Sequence, residues 1–171
     1  LKPTIMLVDL DRFKQVNASL GMPAGDSILL TVARRLMRLA KQQDTLARLG
    51  GDHFALILMS ERDPERITAF ADTLRRTLRA PITFGDREIF ITASIGLLLA
   101  DGQKRTPQEM LKDAELAMYF AKRVGGDRIE VFRPSMRTQK LDRLTLEQDL
   151  RTALEKGEIN VVYRPIIDLS T

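Results

Sequence analysis

Residues 48–58 read Arg48-Leu49-Gly50-Gly51-Asp52-His53-Phe54-Ala55-Leu56-Ile57-Leu58. Two glycines and an aspartate separate a short apolar run from a strand-like one, the pattern of a tight β-hairpin. Glycine tolerates positive φ, so Gly50 and Gly51 turn the chain where a side chain would clash. Without a Cβ, the same backbone admits the close approach of a ligand's phosphates, with Asp52 and His53 standing at the turn. A Gly-Gly-Asp by itself is an ordinary polar hairpin tip. It gains meaning from a second acidic cluster upstream, on a strand of its own.

That strand is Thr4 to Leu10, Thr-Ile-Met-Leu-Val-Asp-Leu. It is apolar enough for a central strand buried on both faces, and Asp9 and Asp11 lie at its carboxyl end. Carboxylates two residues apart on an extended chain share a face, so this pair diverges only if the strand ends or bulges between them. Arg12 to Leu20 reads as a short helix and residues 21–25 as a loop. Asp26 is then expected to cap a helix through Ala40, with Ile28, Leu29, Val32, Leu36 and Leu39 on one face.

Downstream, Asp63-Pro64 opens a helix with an N-cap followed by proline. Its apolar face is Ile67, Phe70, Leu74 and Leu78. Pro81 to Phe84 and Arg87 to Leu99 read as strands around Gly85-Asp86. Thr106-Pro107-Gln108-Glu109 is a capping box that starts a helix to Arg123, with a stripe of Met110, Leu111, Ala114, Ala117, Met118 and Ala121. Gly125-Gly126 stops it, and Arg128 to Phe132 is a last strand. The order predicts an α/β sandwich, helices packed on a mixed sheet. Past Arg133-Pro134 the texture changes: Ser135 to Lys156 reads as a charged helix closed by Gly157, and Glu158 to Leu169 as an isolated strand. One helix and one strand cannot form a core, so residues 134–157 read as a connector and 158–171 as the start of something else.

Composition narrows the classes. The chain has 171 residues, 44% of them hydrophobic, enough for one sizeable core and an appendage. Cysteine is absent, which excludes disulfides and thiolate metal sites and suits a reducing cytoplasm. No apolar run approaches the ~20 residues of a spanning helix, so this segment has no expected membrane contact; a membrane anchor would lie outside it. The net charge of +4 is spread among acids along helical stretches, with few aromatics and no basic block, so nucleic acid is not an expected partner.

The motifs together resemble the GGDEF family, the diguanylate cyclase domains that join two GTP molecules into cyclic di-GMP. The resemblance is carried by residues 8–17 (Val-Asp-Leu-Asp-Arg-Phe-Lys-Gln-Val-Asn), Gly21 through Asp26, and Arg48 to Phe54. Ala93-Ser94-Ile95-Gly96 and the run Ala117 to Lys122 complete it, five motifs in order across residues 1–133. It implies a nucleotidyl-cyclase-like α/β sandwich with a central, largely antiparallel mixed sheet. It also implies that Asp9, the Leu10 carbonyl and Asp52 hold Mg²⁺, that Asn17 and Asp26 bond the guanine, and that Lys14 and Lys122 meet phosphates near Gly50 and Gly51. Hard oxygen ligands suit Mg²⁺, which serves nucleotidyl transfer by stabilising attacking and leaving oxygens. The tail from Leu146 to Leu150 and from Tyr163 to Leu169 resembles the opening of an EAL domain, the cyclic di-GMP phosphodiesterase. The family's opening helix is not found before Leu1, so the chain reads as trimmed at both ends.

The departures from the pattern bear on activity. The family's catalytic glutamate is here His53, giving Gly-Gly-Asp-His-Phe. A neutral histidine removes one negative charge there, and imidazole is a poor Mg²⁺ ligand. The family's inhibitory Arg-x-x-Asp is Lys41-Gln42-Gln43-Asp44, and lysine lacks the planar fork that grips a guanine edge. A basic position four after Lys122 is Gly126, with Arg123 and Arg128 close by. The usual Tyr-Gln-Pro of the tail is Tyr163-Arg164-Pro165. The expected function is a degenerate GGDEF domain that binds GTP and regulates an attached EAL domain. An active cyclase, with His53 as base or metal ligand, is the alternative, and it requires a homodimer because two GTP sites must face each other. A nucleotide-free scaffold is the third reading.

Overall fold

The computed structural model describes residues 3–153 and 155–165, which fall into two units, residues 1–133 and 134–171. In the first, β1 (Thr4–Leu10) is buried along its whole length and lies at the centre of a five-stranded sheet. The other strands are β2 (Thr45–Gly50), β3 (His53–Leu58), β6 (Ala93–Leu98) and β7 (Ile129–Val131), in the order β2-β3-β1-β6-β7. All pairings are antiparallel except β6 with β7, as the mixed sheet expected from sequence requires. The short strands β4 (Ile82–Phe84) and β5 (Arg87–Ile89) form a separate ribbon. The strand expected from Arg87 to Leu99 is therefore two strands, broken at residues 90–92, because its two halves pair with different neighbours.

The alternation of a strand divides β1 between two layers. Met6, Val8 and Leu10 join the main core with Ile28, Leu29, Val32 and Leu36 of α2 (Met22–Leu39) and Ile67, Ala71, Leu74 and Leu78 of α3 (Pro64–Leu78). The other face is covered by α4 (Pro107–Arg123) through Ala114, Ala117 and Ala121, with Leu116, absent from the expected stripe, also buried. Small residues at these positions let α4 lie close to the sheet.

Helix ends follow local chemistry. Asp63 accepts from the amides of Glu65 and Arg66, and Thr106 with Glu109 forms the reciprocal capping box. The second helix departs from expectation: α1 (Phe13–Leu20) ends at Gly21, and α2 starts immediately at Met22. Asp26 is therefore inside the helix and not its cap. Pro23 is accommodated because the first turn of a helix has no intrahelical acceptor for its missing N–H.

Arg35 of α2 ties the two core helices together. Its guanidinium donates to the carbonyls of Leu78 (3.3 Å), the last residue of α3, and of Ala80 (2.7 Å) and Pro81 (2.8 Å) just past it. These groups have no intrahelical partner, and they sit at the negative end of the helix dipole. Replacing Arg35 with alanine is expected to cost about 2 kcal/mol in urea denaturation, the scale of lost charged hydrogen bonds. Arg35→Lys should recover only part, because it lacks the planar fork.

The second unit contains α5 (Ser135–Ala153). Its Leu141, Leu144, Leu146 and Leu150 are exposed, and an Arg143–Glu147 pair one turn apart braces it. The helix is shorter than the expected span to Lys156. A turn closes it, with the Glu158 amide bonded to the Ala153 carbonyl. Residues 158–165 are not a strand, since an extended segment needs a neighbour to take its backbone bonds; residues 166–169 of that expected strand lie outside the described residues. Among the described residues, no helix is long and apolar enough to cross a membrane.

Candidate nucleotide and metal site

The β2–β3 hairpin turns at Gly51-Asp52, with Gly50 paired to His53 and an irregular register after Arg48. Both glycines have positive φ, 143° and 52°, as the turn requires. The Arg48 guanidinium donates to the Gly51 carbonyl at 2.9 Å and steadies the tip. The register of the sheet then does the rest. His53 lies directly across from Asp9, and opposite residues on antiparallel strands project to the same face. His53 Nε2 accordingly meets Asp9 Oδ2 at 2.5 Å. The Leu10 amide donates to the Asp52 carbonyl at 3.4 Å, fastening the hairpin tip to the end of β1.

The second partner of Asp9 arrives from another layer. Lys122, in the last turn of α4, pairs with Asp9 Oδ1. The Asp9 side chain is only 4% exposed, against 46% for His53 and 38% for Lys122. One buried carboxylate thus has a nitrogen group on each of its two oxygens. Burial, reinforced by the nearby Asp52 charge, pushes the Asp9 carboxyl above the usual carboxylate range, while Lys122 and His53 pull it back. Donor atoms of Asp9, Asp52 and His53 lie within 4.8 Å of one another, so one divalent ion could engage all three. Two carboxylates fit Mg²⁺; the imidazole does not.

Asp11 does not belong to this cluster. β1 ends at Leu10, and Asp11 turns away to accept from Thr92 Oγ1 (2.7 Å), Ser94 Oγ (2.7 Å) and the Asp127 amide (2.9 Å). It is a brace between the ends of β1, β6 and α4. Of the two acids at the end of β1, only Asp9 faces the candidate metal position.

Asn17 and Gly25, the residue before Asp26, come together where α1 meets α2. Asn17 Oδ1 is buried without a hydrogen-bond partner, an atom that costs free energy unless a donor reaches it. It lies against the backbone of Gly25: a Cβ there would be 1.8 Å from it. Gly25 lies within the Gly21–Asp26 motif, and a glycine inside a helix is itself a signal of close packing. Asp26 and Lys14 are exposed on α2 and α1.

The Lys41–Asp44 pair lines a cleft of about 170 Å³ with Leu58, Ser60, Arg66 and Phe70. The Asp44 carboxylate is already engaged. It accepts from the amides of Met59 (2.9 Å), Ser60 (3.2 Å) and Lys41 (3.1 Å) and from Ser60 Oγ (3.0 Å). Burial raises its pKa, but the donors, Met59 and Lys41 foremost, outweigh burial and hold it below the usual range. Asp44 therefore staples the end of β3 to the loop before β2.

Known proteins agree with this architecture. The diguanylate cyclase GGDEF-domain model matches residues 2–128. The chain is 38% identical over 161 residues to MucR of Pseudomonas aeruginosa, a bifunctional diguanylate cyclase/cyclic di-GMP phosphodiesterase; the match covers 94% of this chain and 23% of MucR. It is 31% identical over 166 residues to the cyclic di-GMP phosphodiesterase NbdA of the same organism, covering 97% of this chain and 21% of NbdA. The chain thus spans less than a quarter of the length of these relatives. Among solved structures, the isolated GGDEF domain of YfiN (TpbB) from P. aeruginosa superposes with a TM-score of 0.78 at 31% identity, covering 82% of each chain. With its sheet order, its Gly-Gly-Asp hairpin and Asp9 at the end of the central strand, the chain belongs to the GGDEF domain family of cyclic di-GMP signalling proteins.

Proposed function

We propose that this domain binds GTP, makes little or no cyclic di-GMP, and regulates an attached EAL phosphodiesterase. The observation that carries this reading is the contact of His53 Nε2 with Asp9 Oδ2 at 2.5 Å. Where the family pattern has a glutamate, this chain has a ring nitrogen, and with Lys122 on the other oxygen Asp9 is satisfied by the protein's own groups. Recruitment of Mg²⁺ to Asp9 must compete with both.

In this reading Asp9, Asp52 and the Leu10 carbonyl remain the oxygen donors for Mg²⁺. When bound, that ion would stabilise charge on phosphate oxygens. The buried, unpartnered Asn17 Oδ1 and Asp26, which follows Gly25 on α2, bind the guanine. Both are acceptors suited to its N–H groups. Lys14, and Lys122 once released from Asp9, meet the phosphates, and Gly50 and Gly51 let them approach the turn. Because guanine contacts sit apart from position 53, binding outlasts turnover. Lys41 in place of arginine, with Asp44 committed to main-chain amides, leaves no fork to hold product. The exposed leucines of α5 suit a helix that passes nucleotide occupancy to a following domain, in line with the bifunctional description of MucR.

One observation favours a second reading. A carboxylate bonded to an imidazole is also the way a general base is oriented, so His53 could serve an active, dimeric cyclase. Two measurements separate these. Calorimetry with a non-hydrolysable GTP analogue should show one site per chain, and no heat at millimolar nucleotide would refute binding. Incubation with GTP and Mg²⁺ followed by chromatography should yield essentially no cyclic di-GMP; appreciable product would establish the active cyclase instead.

A further inference from the structure

We infer that Asp9, Asp52 and His53 form a binding site for a borderline transition-metal dication, of which Zn²⁺ and Co²⁺ are the probes, in preference to Mg²⁺. One oxygen or nitrogen from each residue lies within 4.8 Å of the others. An ion with bonds of about 2.0–2.2 Å spans such a set after small side-chain rotations. Two of the three are reachable from solvent: His53 is half exposed at the hairpin end, and Asp52 is in the turn. The third, Asp9, is buried and held on its far oxygen by Lys122, so it offers Oδ2 from a fixed position. The contact of Oδ2 with His53 Nε2 at 2.5 Å brings two ligand atoms side by side, and a bound ion takes the place of the proton they share.

The chemistry of the set decides the selectivity. Mg²⁺ asks for an octahedron of hard oxygens and sheds water reluctantly. Imidazole with two carboxylates instead suits Zn²⁺, Co²⁺ and Ni²⁺. Three protein ligands also leave a coordination position open, the arrangement of sites that receive water or a ligand oxygen. The site stands on these three side chains and the sheet register that aligns them. It is independent of whether GTP binds.

The chain is favourable for a test, because His53 is its only histidine and it has no cysteine. Tag-free protein without nucleotide would be titrated with Co²⁺, following visible d–d absorption, and with Zn²⁺ by calorimetry, following the single imidazole by NMR. One ion per chain is expected, with the His53 ring resonances shifting in step. Mg²⁺ in about hundredfold excess should not displace it. His53→Ala should weaken Zn²⁺ binding at least about tenfold, and Asp52→Asn should weaken it comparably. His53→Glu should narrow the Zn²⁺ over Mg²⁺ preference. Zn²⁺ binding unchanged in both His53→Ala and Asp52→Asn, or displacement by equimolar Mg²⁺, would overturn the assignment. Because these titrations contain no GTP, their failure is distinct from failure of the nucleotide-binding reading.

Discussion

Replacing His53 with glutamate is expected to raise cyclic di-GMP synthesis by about 100-fold or more over the unmodified domain, corresponding to ~2.7 kcal/mol of transition-state stabilisation. The substitution reverses the contact that defines the site. A glutamate across from Asp9 cannot donate to its Oδ2, so two carboxylates face each other with Asp52 nearby. Like charges at this separation repel, and a divalent ion is the natural relief. The variant should therefore be less stable than the parent without metal and gain stability as Mg²⁺ is added. Thermal denaturation with and without Mg²⁺ reads the second effect, and chromatography of the products reads the first. If synthesis stays absent while Mg²⁺ stabilises the variant, the lesion lies elsewhere, most directly in the phosphate contacts. If the unmodified domain is already as active as the variant, position 53 is not limiting.

Gly96→Ala should be severely destabilising, by about 3 kcal/mol or more, at the upper end of what overpacking costs. Gly96 lies on the face of β6 covered by α4. A Cβ there would come within 2.3 Å of the Ala114 carbonyl and 2.4 Å of the Met118 amide nitrogen. Those atoms are backbone, so relief requires α4 to shift as a whole. The same helix carries Lys122 to Asp9, so the shift reaches the site as well as the core. Urea denaturation measures the loss. A loss below about 1 kcal/mol would mean that α4 slides easily on the sheet, and that the Lys122 contact is less fixed than its geometry implies.

These two positions mark different kinds of legibility. Gly96 was visible as part of a motif, and a glycine in a strand interior signals close approach, yet nothing in the sequence says which backbone it meets. His53 was visible as an anomaly in the hairpin. Its cross-strand partner follows only from the pairing of β1 with β3. The hairpin turn, the Asp63 cap and the Thr106–Glu109 box were legible because each is settled by groups within a few residues. The start of α2 is not legible in the sequence because Asp26 is a good cap by composition, while Pro23 and Gly21 set the boundary. The split of residues 87–99 into β5 and β6 is not legible in the sequence because one apolar alternating run can serve two sheets, and only pairing separates them.

By itself the sequence determined the local elements, their order and the Gly-Gly-Asp signature, since these rest on backbone preferences and short-range hydrogen bonds. The tertiary structure alone decided how the charges are used. It sent Asp9 to His53 and Lys122, and Asp11 to Thr92, Ser94 and the Asp127 amide. It also set Asp44 against the amides of Lys41, Met59 and Ser60. Each of these carboxylates must find donors when it leaves water, and the donors come from segments up to 116 residues away that only folding brings within reach.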